Sequence, residues 1–142
     1  MELYKQELMK ILRLEIFNYV IIFGLIITAI IICYILKKHK IYFYSLFVSV
    51  SFLFIMIFLS VNDLMPLYKD ITGNAYVELE NVYFSCGESH FDSSGFQKVS
   101  IYVGNDSPIV LKTTKSFEEN EFYGFAVYSR ESKYLVYVEK IE

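Results

Sequence analysis

The sequence predicts an α+β membrane protein: an N-terminal two-helix transmembrane hairpin followed by a small antiparallel β-barrel or roll, OB-like or SH3-like in its order of elements. Two observations carry the helical half. The apolar runs Ile16 to Leu36 and Ile41 to Val61 contain no Asp, Glu, Lys or Arg, and only Lys37-Lys38-His39-Lys40 separates them. At ~1.5 Å per residue each run crosses a bilayer core, and so short a connection makes them antiparallel neighbours. A third observation carries the rest: from Ala75 onward the apolar residues recur with period two, the signature of half-buried strands.

Taken in order, the chain divides into a lead helix over 1–15, the hairpin over 16–61 (spans 16–36 and 41–61), a linker over 62–74 and a β-domain over 75–142. In the lead, Tyr4, Leu8 and Ile11 or Leu12 recur at helical spacing among Glu2, Lys5, Glu7 and Lys10, which makes one apolar stripe. Such a helix either lies on the headgroups or simply extends the first span. The first run is too long for the apolar core of a signal peptide and leads straight into a second run, so both are read as retained spans.

Within the hairpin, residues at one depth have numbers summing to about 77, because Leu36 and Ile41 flank the turn. Thr28 then faces the level of Ser49. Gly24, Thr28, Ser45 and Ser49 are the small or hydroxyl positions expected at the helix–helix contact or in self-association; the alternative for the hydroxyls is a bond to their own i−4 carbonyl. Lys37, Lys38 and Lys40 form a membrane-flanking basic patch suited to anionic headgroups. The absence of ionisable groups from the spans argues against a proton relay or an ion-coupled transporter.

Asn62-Asp63 and Pro66 read as the end of the second helix. Strands are expected over Ala75–Phe84, Gln97–Val103 and Ile109–Leu111, with a turn at Gly104-Asn105-Asp106. Ser116 and Glu119 have capping-box spacing and suggest one helical turn. Phe122–Ser129 and Lys133–Ile141 then form a hairpin across Arg130-Glu131-Ser132. Three strands, a helical connection and two strands match a five-stranded barrel, whose closure would also remove its edges.

The formal charge of −3 and the lack of a basic tract outside the hairpin turn argue against direct nucleic-acid binding. Cys86 to Asp92 gathers a thiol, His90 and carboxylates, but a structural metal site needs about four ligands, and sequence adjacency alone positions no catalytic base. No catalytic residue, metal or cofactor is assigned, and the protein is not expected to be an enzyme. Of the strand aromatics, Tyr123 and Phe125 fall on one face and Phe122, Gly124, Ala126 and Tyr128 on the other. One face must fill the core, and the other can present a ligand platform.

The order and size of these parts resemble the membrane effectors of bacterial anti-phage systems, of the retron-associated and cyclic-oligonucleotide-triggered kinds. That resemblance implies a non-enzymatic effector of the inner membrane whose β-domain binds a partner or signal and whose helices perturb the bilayer. The expected partners are the lipid bilayer, a protein bound by the β-domain and further copies of the chain. The alternative is a membrane-anchored immunity or accessory protein that binds a toxin or a membrane subunit. Lysine counting sets three residues in the turn against Lys5, Lys10, Arg13 and Lys69 at the outer ends. The denser turn favours a cytoplasmic turn, while the larger total and an unpaired Cys86 favour cytoplasmic termini and β-domain, the orientation expected here.

Overall fold

The computed structural model describes residues 2–36, 40–86, 95–104, 106–117 and 119–141, with the side chains of Lys40 and Ile41 left out of the description. Two 34-residue helices, α1 (Glu2–Ile35) and α2 (Lys40–Gly73), precede five strands: β1 (Tyr76–Ser85), β2 (Gln97–Tyr102), β3 (Ile109–Thr113), β4 (Glu121–Ser129) and β5 (Leu135–Lys140). The α+β class therefore holds, and both helices are long and apolar enough to cross a membrane.

The chain separates into two compact units. One holds the middle of both helices, Arg13–Met65; the other holds the chain up to Leu12 together with Pro66–Glu142. In the sheet unit the helix ends become part of a protein interior. Leu8 and Ile11 are buried, as are Leu67 and Ile71, and the Tyr4 ring lies 5.7 Å from Tyr76 and 6.0 Å from Tyr137. The lead stripe thus packs within this unit instead of on headgroups.

Residues 62–74, expected as a linker, are helical as far as Gly73. A proline inside a helix costs ~3 kcal/mol through its missing donor and its clash with the preceding turn. Burying Leu67 and Ile71 returns ~1.5–3 kcal/mol each, which outweighs that cost. The helix stops at Gly73, about two turns past Pro66. Asn74 takes φ 48°, and the Ala75 N–H donates to the Asp70 carbonyl at 3.1 Å, the closing bond of a Schellman motif.

The sheet is antiparallel with order β3-β2-β1-β4-β5. β1 is central, and its register slips between Leu79 and Val82, where Asn81 adopts φ 54°. One face holds the core: Val82, Phe84, Val99, Ile101, Leu111, Ala126 and Leu135 are buried, with Phe84 and Phe122 stacked at 4.6 Å. Gly124 is required there, since a Cβ would stand 2.6 Å from the Glu139 carbonyl oxygen.

The expected barrel does not close. Among the described residues the two edges are joined by a single parallel bridge, between Lys112 of β3 and Tyr134 just before β5, with the Lys112 N–H donating to the Lys133 carbonyl at 2.9 Å. The chain then leaves the sheet. The Thr113 hydroxyl accepts the Lys115 N–H at 3.0 Å, and Gln97 Nε2 on β2 donates to the Lys115 carbonyl at 2.8 Å, holding the segment away from β5. Among the described residues, the stretch opened by Ser116 forms no helical turn; Glu119 pairs with Lys140 instead.

Candidate functional site

The helical unit presents hydrocarbon outward. Phe17, Leu25, Ile35, Phe47, Phe54 and Phe58 are each 61–73% exposed, and Val20, Ile21, Ile27, Ile31, Val48, Ile55 and Ile57 are exposed with them. Monomeric proteins in water rarely expose continuous apolar patches beyond a few hundred Å². Polar groups gather at one end of this unit, where the Tyr19 hydroxyl donates to the Asp63 carboxylate and the Ser60 hydroxyl to the Ile57 carbonyl at 2.8 Å. Helical side chains lean toward the N-terminus of their own helix, which accounts for Tyr19 reaching about one turn beyond the level its Cα faces.

Of the small residues singled out in the sequence, Gly24 and Thr28 lie exposed on α1, and Ser45 and Ser49 are half-buried on α2. The Thr28 hydroxyl donates to the Gly24 carbonyl at 2.8 Å, the local bond expected of a hydroxyl in an apolar helix. A Cβ on Gly24 would meet nothing within 4 Å. This face of α1 is therefore open. Lys37 and Lys38 lie outside the described residues, and Lys40 begins α2.

Cys86 follows β1 directly, is buried, and has its thiol pKa raised by that burial, which works against a thiolate nucleophile. His90 and the rest of the loop through Asp92 lie outside the described residues.

In the sheet unit the most constrained polar group is Asp70, fully buried on the last turns of α2. Its carboxylate accepts the Glu131 N–H at 3.1 Å, the Ser132 N–H at 2.8 Å and the Ser132 hydroxyl at 2.7 Å. Ser129 extends the network: its hydroxyl lies 2.7 Å from that of Ser132 and accepts the Tyr134 N–H at 2.8 Å. The end of α2 and the β4–β5 turn are thus clamped through one charge. Asp70 reads as a linker residue in the sequence, and only the folded turn gives it partners.

On the sheet face opposite the core, Tyr102, Tyr83 and Tyr123 stand side by side across β2, β1 and β4, with centroid separations of 5.9 and 5.2 Å. Tyr123 is 60% exposed. A hydrogen bond to Glu121, followed by burial and the neighbouring charge, pushes the Tyr83 hydroxyl pKa up to about 12. Phe122 and Tyr128, on the alternate positions of β4, fill the core. Strand alternation separates the two sets, but only the pairing register reveals that Tyr83 stands between Tyr102 and Tyr123. A row of rings beside a carboxylate can receive apolar or cationic groups of a partner.

No family model matches the chain, no curated protein matches its sequence and no solved structure matches its fold, so residues and geometry alone carry the functional argument.

Proposed function

We propose that the chain is a two-span membrane protein whose sheet unit receives a partner or signal and whose helices, once brought together with other copies, perturb the inner membrane. This is an effector of the anti-phage kind, acting without catalysis and with its termini on the cytoplasmic side. The observation that carries this reading is the outward hydrocarbon of the helical unit, which a bilayer would solvate and water would not. The open face around Gly24 suits close approach by a second helix. The tyrosine row and Glu121 supply an exposed surface for a protein partner. The local bond of Thr28 favours a second reading, an anchored immunity or accessory protein, because a hydroxyl already satisfied within its own helix adds nothing to association.

Gly24→Leu and Thr28→Leu separate the two. If association does the work, both substitutions abolish dye leakage from vesicles and toxicity on overexpression, while the amount of membrane-inserted protein stays unchanged. Wild-type protein that inserts but neither leaks dye nor slows growth, with its partner absent, leaves the anchored module as the better account.

A further inference from the structure

The register slip in β1 shapes the outer surface of the sheet as well as its ladder. Leu79 pairs with Ala126 and Val82 with Gly124, so Glu80 and Asn81 together stand opposite the single residue Phe125 of β4. Such a bulge bends its strand and re-aims the side chains beside it. On the other side of Phe125 stands Glu139 of β5. Phe125 and Glu139 alternate with the core-facing Ala126 and Val138, which places them on the opposite face of the sheet. A hollow of about 420 Å³ lies there, lined by Glu80, Asn81, Phe125, Glu139, Lys140 and Ile141. That volume falls within the range of ligand pockets.

The hollow combines an aromatic surface with carboxylates on both sides of it. Phe125 is half-buried, and the Tyr137 ring meets it at 6.2 Å in an edge-on arrangement. Glu80 and Glu139 are exposed. Neighbouring strands lie about 4.8 Å apart, so the two glutamates spring from backbones about 10 Å apart, a gap that a planar cation over Phe125 can bridge. Glu139 accepts the Tyr137 hydroxyl at 3.2 Å through one oxygen, which leaves the second for a ligand. Among the described residues the ion pairs are Lys10–Glu7 and Lys140–Glu119, so neither glutamate of the hollow has a cation in reach. Lys140 starts from the core-facing side of β5, opposite Gly124, and its ammonium is held by Glu119 at 2.6 Å. Two residues back along β4, on the same face as Phe125, the row of Tyr123, Tyr83 and Tyr102 begins. The exposed lysines of this face, Lys98 and Lys112, lie beyond that row on β2 and β3, so the hollow occupies its acidic end.

We infer that this face docks a segment of a partner protein through an arginine side chain. The guanidinium lies on Phe125 between Glu80 and Glu139, and the residues beside the arginine rest on the tyrosine row. A guanidinium stacks on rings and forks to carboxylates, which the compact ammonium of lysine does less well. The inference rests on the reading of the sheet unit as the receiving part and gives its partner a chemistry. The helices take no part in it, so peptide binding and dye leakage fail independently.

Fluorescence anisotropy of a dye-labelled acetyl-Leu-Arg-Leu peptide, titrated with the full chain in dodecyl maltoside micelles, tests it. Saturable binding is expected. The same peptide carrying citrulline, which keeps the shape and loses the charge, should bind at least about tenfold more weakly, and the lysine peptide about threefold more weakly. Glu80→Gln and Glu139→Gln should each weaken the arginine peptide about fivefold or more, and Phe125→Leu about threefold. Glu78→Gln should leave binding unchanged, because Glu78 pairs with Val127 one row away on the same face and does not line the hollow. Circular dichroism establishes that each variant is folded. Absence of saturable binding, equal affinity for the citrulline peptide, or a folded Glu80→Gln/Glu139→Gln double variant that binds like wild type would overturn the inference. Equal losses in Glu78→Gln and Glu139→Gln would replace it with diffuse charge attraction. Displacement of the peptide by choline as readily as by arginine amide would also overturn it, in favour of a lipid headgroup.

Discussion

Asp70 shows how one side chain decides where a helix belongs. Its carboxylate is the common acceptor for two backbone donors of the β4–β5 turn, Glu131 and Ser132, while Arg130 and Lys133 donate to the Ala75 and Ser129 carbonyls. Asp70→Ala removes the acceptor and leaves the donors behind, so the sheet unit should lose about 2–4 kcal/mol, whereas Asp70→Asn keeps one oxygen and should lose less. Denaturant unfolding followed by tyrosine fluorescence measures both. A variant without the carboxylate that unfolds at the wild-type midpoint would show that the turn is held by Ser129 and Ser132 alone.

At the scale of elements, β2 gives the sharpest test of which face is the core. Ile101 is fully buried beside Phe84 in the β1–β2 register, while Lys98 on the same strand is exposed. Ile101→Asp should therefore cost several kcal/mol, of the order of the whole stability of a small unit, and Lys98→Asp close to nothing. Thermal melts of the two variants should differ accordingly, and equal melts would reverse the faces. The strands were legible in the sequence because alternation is local: the structure moves their ends by one or two residues. Barrel closure was not legible, because it turns on the path of the chain after β3, where the Gln97 side chain of β2 holds the Lys115 carbonyl from 18 residues away. The continuation of α2 past Pro66 was hidden for a related reason. Asn62, Asp63 and Pro66 are sound local stop signals, and tertiary burial of Leu67, Asp70 and Ile71 overrides them. The small residues on the helices are legible in the sequence as positions, and the local Thr28 bond to the Gly24 carbonyl is what the structure adds to them. The tyrosine row was not legible, because it exists only once three strands are paired.

For the whole molecule, the proposed topology makes the basic turn and the sheet unit lie on opposite sides of the bilayer. With Cys33 and Cys86 replaced, single cysteines introduced as His39→Cys and Thr72→Cys should react with a membrane-impermeant maleimide from opposite sides, the second from the cytoplasm. Labelling of both from one side would remove the two-span reading and with it the effector.

The β1–β4 ladder also governs the order of events as the molecule forms. It joins residues as distant in sequence as Tyr76 and Ser129, and the stripe of Leu8 and Ile11 is buried in the same unit as that ladder. While the chain is being made, β1 emerges long before its central partner, and the earliest apolar residues wait longest for cover. Loop closure over such separations is slow relative to helix formation. The helices therefore form first, and the sheet assembles afterward as a late, non-local step. During that interval the unpaired β1 and the bare Leu8 stripe are the parts of the nascent chain most open to a chaperone or to aggregation.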